Sequence, residues 1–277
     1  MRVWTLAPFL LVAAFSCVAL AVPEPPRGSA PDRSFRGANP CVGEKARRLL
    51  CPDLAMRQPF GLYAYGSLLH AGNAIVNRGR GPAELYGWQV APGWMHARQH
   101  IYLRRGGKTY RRTGARLVFK YAHGGRRWWK WYNAARFELW RLDRRGRRLR
   151  KLRTGPKVAY CLRDLGHLAP ALTGSPFGPV YPACSTSSYA SRVRLGTSVG
   201  WADIYPAAYP EQWINISGLR GCFAYVHTAD PENRIYESNE DNNEAQVVVR
   251  LPFNPYRWRS GCRGRGNAQQ HSPAGRY

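Results

Sequence analysis

The sequence predicts an all-β fold, an antiparallel β-sandwich with short loops and little helix. Three observations carry that expectation. Short β-rich runs at 60–65, 73–77, 84–90, 99–104, 115–121, 135–142, 157–162, 212–216, 222–227 and 245–251 are separated by Gly, Pro, Asn and Asp clusters. No stretch after residue 52 sustains a 3.6-residue apolar period. With 277 residues, 44% of them hydrophobic and 13% aromatic, the chain can bury one core of ordinary domain size, which excludes a wholly disordered protein.

Residues 1–21 place Arg2 before an apolar stretch from Leu6 to Val18 and end in Ala19-Leu20-Ala21, the order of a secretory signal peptide. That run, closed by prolines, falls short of the roughly 20 residues a bilayer needs, and no later segment reaches it. Export to the extracellular space or cell envelope is therefore expected, with no membrane span after cleavage. Residues 22–50, rich in Pro, Gly and Arg, read as a flexible leader. A β domain is expected over 51–256, with Arg105-Gly106-Gly107-Lys108 and 143–148 as hairpin turns. Residues 257–277 read as a basic tail pinned by Cys262. Six cysteines remain after export, Cys41, Cys51, Cys161, Cys184, Cys222 and Cys262. An even number in an exported chain reads as disulfides, and of the 15 pairings that six cysteines allow the sequential one is expected. None has the C-x-x-C spacing of a structural zinc site.

The net charge of +26 calls for an anionic partner or a solvated basic surface. The excess is almost all arginine, a bias that a GC-rich genome also produces. Between 126 and 153 the basic residues outnumber the acids, Glu138 and Asp143, several-fold. Aromatics are interleaved with cations there, in Arg126-Arg127-Trp128-Trp129-Lys130-Trp131. As a strand, Arg126, Trp128 and Lys130 face one way and Arg127, Trp129 and Trp131 the other, one set being either core or a stacking surface. Arg144, Arg145, Arg147, Arg148, Arg150 and Lys151 are the expected contacts to an anionic envelope or matrix polymer. A specific nucleic acid is not the expected partner of an exported chain.

Other patterns read as structural. Gly196-Thr197-Ser198-Val199-Gly200 spells G-x-S-x-G, but Pro206 and Pro210 oppose the long helix a nucleophile elbow needs, so it reads as a loop between strands. His96 and His100 have the i, i+4 spacing of metal ligands on a helix, yet residues 99–102 read as a strand start. They are taken as exposed loop histidines, and His167 and His227 as structural. Glu237 through Glu244 has oxygen ligands suited to Ca²⁺ but reads better as a polar loop before strand 245–251. Asn215-Ile216-Ser217 spells a glycosylation sequon.

Several segments resemble, in order, those of the lysyl oxidases. Gly155-Pro156-Lys157-Val158-Ala159-Tyr160-Cys161-Leu162-Arg163-Asp164 resembles the segment carrying the lysine of the family's quinone cofactor. Gly196-Thr197-Ser198-Val199-Gly200-Trp201-Ala202-Asp203-Ile204-Tyr205 followed by Gln212-Trp213-Ile214-Asn215-Ile216 resembles the one carrying its tyrosine. Cys51-Pro52-Asp53-Leu54, Asn77-Arg78-Gly79-Arg80-Gly81-Pro82 and Tyr236-Glu237-Ser238 through Asn242-Asn243 resemble its other motifs. The resemblance implies a β-sandwich of lysyl-oxidase-like type, with Lys157 and Tyr205 at the positions that become lysine tyrosylquinone. In that family a His-x-His-x-His run binds the copper that makes the cofactor. Counting back from Ala135-Arg136-Phe137-Glu138-Leu139, those ligand positions hold Arg126, Trp128 and Lys130, none an ordinary copper ligand. The expectation is thus a degenerate member with no copper and no quinone. The alternative is an active copper amine oxidase, turning primary amines into aldehydes with release of ammonia and hydrogen peroxide. It would need other ligands, such as His123 with His96 or His100.

Overall fold

The computed structural model describes residues 37–121, 125–156 and 158–264. The expected signal peptide, residues 22–36 and the tail beyond 264 lie outside the described residues, as do His123 and Lys157. A short 3₁₀ helix, Glu44–Arg48, precedes β1 (Leu49–Leu50), β2 (Leu54–Met56), β3 (Phe60–Tyr65), β4 (Leu68–Asn77) and β5 (Ala83–Ala91). Then come β6 (Trp94–Leu103), β7 (Lys108–Tyr121), β8 (Arg127–Leu142), β9 (Arg148–Thr154), β10 (Val158–Tyr160) and β11 (Gly166–His167). The chain ends through β12 (Arg192–Thr197), β13 (Trp201–Tyr205), β14 (Trp213–Asn215), β15 (Gly221–Ala229) and β16 (Glu244–Leu251).

The expected all-β antiparallel sandwich is what forms. A ten-stranded sheet runs β12-β5-β6-β7-β8-β15-β16, with β1 added to β6 and β9 and β10 to β8. A six-stranded sheet runs β11-β13-β4-β14, with β2 and β3 added to β4. The core lies between them because the strands alternate. Trp129, Trp131, Phe137 and Leu139 of β8 are buried together with Phe223 and Tyr225 of β15, Val247 and Val249 of β16, and Leu69 and Ile75 of β4. Each such side chain removed from water contributes about 1.5–3 kcal/mol. No helix among the described residues is long and apolar enough to cross a membrane.

The sequential disulfides are present, Cys41–Cys51, Cys161–Cys184 and Cys222–Cys262. Where the sequence suggests a flexible leader up to residue 50, the stretch from Asn39 is fastened to the sandwich. Cys41 is buried, Asn39 Nδ2 donates to the Glu237 carbonyl at 2.9 Å, and β1 pairs with β6. Nor are all loops short. Residues 168–191 contain no strand, since Pro170, Pro176, Pro179 and Pro182 supply no ladder donors. The disulfide at Cys184 holds this segment, as does the Asp164 carboxylate, which accepts the N–H of Val180 at 2.8 Å and of Tyr181 at 3.1 Å.

Three of the quoted motifs meet at one end of the sandwich. Asn77 Oδ1 accepts the N–H groups of Asp53 and Gly79, and its Nδ2 donates to the carbonyls of Gly81 and Thr197. A Cβ on Gly81 would lie 2.1 Å from the Leu50 carbonyl oxygen, so only glycine permits this approach. The buried Glu237 carboxylate accepts the Leu54 N–H and an Asn243 amide N–H at 2.9 Å. The acidic cluster therefore acts as a polar clamp on the entry to β2.

Candidate functional site

A cavity of about 90 Å³ opens beside β8, β10 and β13, lined by Trp128, Lys130, Tyr160, Arg163, Tyr205, Glu211 and neighbouring residues. Strand alternation puts them there. Trp129 and Trp131 turn into the core, so Trp128 and Lys130 on the other face reach the cavity. Two of the three positions the resemblance assigns to metal ligands thus stand beside Tyr205, while Arg126 is exposed and lines no part of the cavity. Lys157 lies outside the described residues; its neighbour Val158 lines the cavity.

Tyr205 is held from two sides. Its hydroxyl accepts the Cys161 N–H at 2.7 Å, and its ring stacks on Tyr160 at 3.7 Å between centroids. Tyr160 Oη accepts from Asn73 Nδ2 at 2.7 Å and lies 3.2 Å from Gln212 Oε1. Burial pushes both hydroxyls far above the ordinary tyrosine range, so both stay protonated. Asp203, two residues before Tyr205, is wholly buried, and burial raises its carboxyl well above the usual range against the pull of Arg163. Lys130 donates to the Tyr121 carbonyl at 3.0 Å. Burial lowers its amine to about 8, with Lys120 and Arg163 acting the same way and Glu211 opposing. Glu211 itself is ion-paired with Lys120, and the Arg163 guanidinium sits 4.8 Å from the Trp128 ring.

Copper does not fit this side-chain set. The Trp128 indole has no free lone pair, Lys130 donates to a carbonyl, and Lys120 and Arg163 place fixed positive charge nearby. The alternative ligands do not converge here either. His96 and His100 stand on β6, not on a loop, and neither lines the cavity. His100 is buried, with Nδ1 2.5 Å from the Glu84 carboxylate, and His96 is exposed with its ring edge-on to Trp88. His123 lies outside the described residues. Ser198 has Asp164 as its hydroxyl partner at 2.7 Å, in the link between β12 and β13, so no nucleophile elbow forms. His167 bonds Ser175 Oγ at 2.7 Å and stacks on Trp201. His227 is enclosed against Phe137.

The cationic residues expected to bind a polymer lie on the edge strand β9 and the turn before it. Three of the six are neutralised. Arg147 pairs with Asp143 at 2.9 Å, Arg148 with Glu244 at 2.7 Å and Lys151 with Glu138 at 2.9 Å. Arg144, Arg145 and Arg150 are exposed and in no ion pair among the described residues. Of the aromatics of 126–131, Trp129 and Trp131 are 0% exposed, and Trp128 faces the cavity under the Arg163 guanidinium, away from β9.

A second basic surface, missed in the sequence, does interleave rings and cations. Cross-strand pairing sets Arg194, Tyr86, Arg98 and Arg112 in one row across β12, β5, β6 and β7, with Arg192, Trp88 and His96 in the next. Partners in a row share a face, and Leu85 and Leu195 point the other way into the core. The Arg98 guanidinium lies 5.4 Å from the Tyr86 ring and 4.1 Å from that of Tyr110. Its signal was spread over four distant segments and needed the register to appear. No protein-family model matches the chain, and no curated protein matches it.

Proposed function

We propose that this chain is an exported, polyanion-binding protein of lysyl-oxidase-like descent that has lost copper chemistry. The observation that carries the reading is the cation–aromatic face of β12-β5-β6-β7, backed by the unpaired Arg144, Arg145 and Arg150. Aromatic rings suit the apolar faces of sugars, and guanidinium groups take carboxylates, sulfates or phosphates in pairs of hydrogen bonds. An anionic polysaccharide or teichoic-acid-type polymer satisfies both. The descent rests on the order of the motifs and on Trp128, Lys130 and Tyr205 sharing one cavity.

Titration with heparin and with teichoic acid across a salt series tests it. Binding is expected to weaken about tenfold or more between low and physiological salt. Charge reversal at Arg98, Arg112 and Arg194 should remove most of it, and reversal at Arg144, Arg145 and Arg150 a smaller part. Binding indifferent to salt and to both triple variants would overturn the reading.

The second reading, a copper amine oxidase, is favoured by one observation, Tyr205 in the cavity with Trp128 and Lys130. Those neighbours are also what opposes it. Hydrogen peroxide release from an alkylamine by copper-loaded protein, lost in Tyr205→Phe, would establish it.

A further inference from the structure

We propose that Lys130 is a carbonyl-condensing amine, and that the cavity around it takes a small oxo acid as a Schiff base. The geometry supplies the parts. Lys130 projects from β8 into the cavity, is 9% exposed, and among the described residues has the Tyr121 carbonyl as its one hydrogen-bond acceptor, where an ammonium group offers three donors. Among the described residues Lys130 is in no ion pair, and Glu211 is paired with Lys120. Among the described residues Lys120, Arg163, Glu211 and Asp203 are the charged groups around it and Tyr160, Tyr205 and Tyr209 the hydroxyls on the same cavity, and burial with the two cations favours the neutral amine. The cavity of about 90 Å³ is room for a small molecule, and pyruvate and benzaldehyde are small carbonyl compounds with and without a carboxylate. Trp128 and Tyr209 form its apolar wall, and Arg163 is the cation placed to receive a carboxylate.

The chemistry needs no oxidant or reductant. The Lys130 lone pair adds to the carbonyl carbon, and the C=O π pair moves to oxygen, which takes a proton. The carbinolamine then loses that oxygen as water, leaving a C=N bond to Lys130. The inference is independent of polymer binding, since the cavity and the basic face use different residues.

The test uses the intact chain with pyruvate or benzaldehyde and cyanoborohydride as trapping reductant, followed by peptide mapping. The six lysines, Lys45, Lys108, Lys120, Lys130, Lys151 and Lys157, provide the internal comparison. Native protein is expected to carry the reductive label on Lys130 at least tenfold above the exposed Lys45, Lys108 and Lys151, and heat-unfolded protein on all six alike. The native labelling rate should rise through about pH 8. Arg163→Gln should cut pyruvate labelling about tenfold more than it cuts benzaldehyde labelling, because both carbonyls feel the altered Lys130 amine and only pyruvate also loses its carboxylate partner. Label spread evenly over native protein, or concentrated on the exposed lysines, would overturn the proposal. Equal loss of both labels, or of neither, in Arg163→Gln would overturn the oxo-acid assignment.

Discussion

Single residues decide the two most exacting positions in this molecule. At Gly81 the backbones of the 77–82 turn and β1 approach so closely that a methyl group would overlap the Leu50 carbonyl. Gly81→Ala is expected to cost several kcal/mol, with separation of residues 39–50 from β6, measurable as a lowered midpoint in chemical unfolding and faster amide exchange at Leu49 and Leu50. His227 is the second. Burial lowers its imidazole to about 3, so the folded protein holds it neutral where the unfolded chain, with an ordinary histidine near 6.5, binds a proton. The unfolded state therefore takes up more protons between those values, and stability falls as pH drops from about 6.5 toward 3, by up to roughly 4–5 kcal/mol from this group. His227→Phe should flatten that part of the acid limb in unfolding midpoints recorded from pH 7 to 4. An unchanged slope would mean that His227 is solvated. The sequence identified His227 as structural, because a lone histidine inside an apolar run has nothing to ligate with. It placed His100 wrongly in a loop, because Glu84, the carboxylate that burial required, comes sixteen residues earlier on the neighbouring strand.

Among the elements, most long strands were legible, including the doubly buried part of β4 at 73–77, whereas β12 and β13, which flank the Gly196–Gly200 loop, were not. β8 and β16 show apolar residues at every second position, so their burial follows from the pleat. β13 reads Trp-Ala-Asp-Ile-Tyr with every residue buried, which leaves no alternation to detect, and the glycines before it suggest only a loop. Yet β13 carries Tyr205, found through resemblance rather than periodicity. Of the other cavity residues, Glu211 lies in a connecting segment where no pattern marks it, whereas Arg163 and Gln212 stand in segments quoted for the resemblance, with nothing in the sequence to show that they meet. The 168–191 segment is the element whose order depends most on a covalent tie. Cys161 and Cys184 are 23 residues apart in sequence, and losing a loop of that size costs about 3 kcal/mol by chain entropy. Cys184→Ser is expected to lower stability by that order. It should also loosen Tyr181 from Glu84, to which its hydroxyl donates at 2.6 Å, seen as protease cleavage within 168–191 while β8 and β15 stay protected.

At the scale of the whole molecule, the arginine excess is sorted by the register of the large sheet. Part of it is paired along β9, and part is laid between aromatic rings on the outer face of β5, β6, β7 and β12. Composition carries only the sign of the net charge, and the cross-strand rows are what place the cations on one surface. The same sheet separates that surface from the cavity at Tyr205, where Trp128 and Lys130 stand at two positions that the resemblance assigns to metal ligands. With Trp128, Lys130 and Arg163 lining it, this cavity is expected to make no copper-derived cofactor. The direct measurement is peptide mass spectrometry on protein produced and folded with copper present, following the peptides that carry Lys157 and Tyr205. Both are expected to be recovered separately and unmodified. A single cross-linked species joining Lys157 to an oxidised Tyr205 would contradict the account and make the chain an amine oxidase with ligands other than those at 126, 128 and 130.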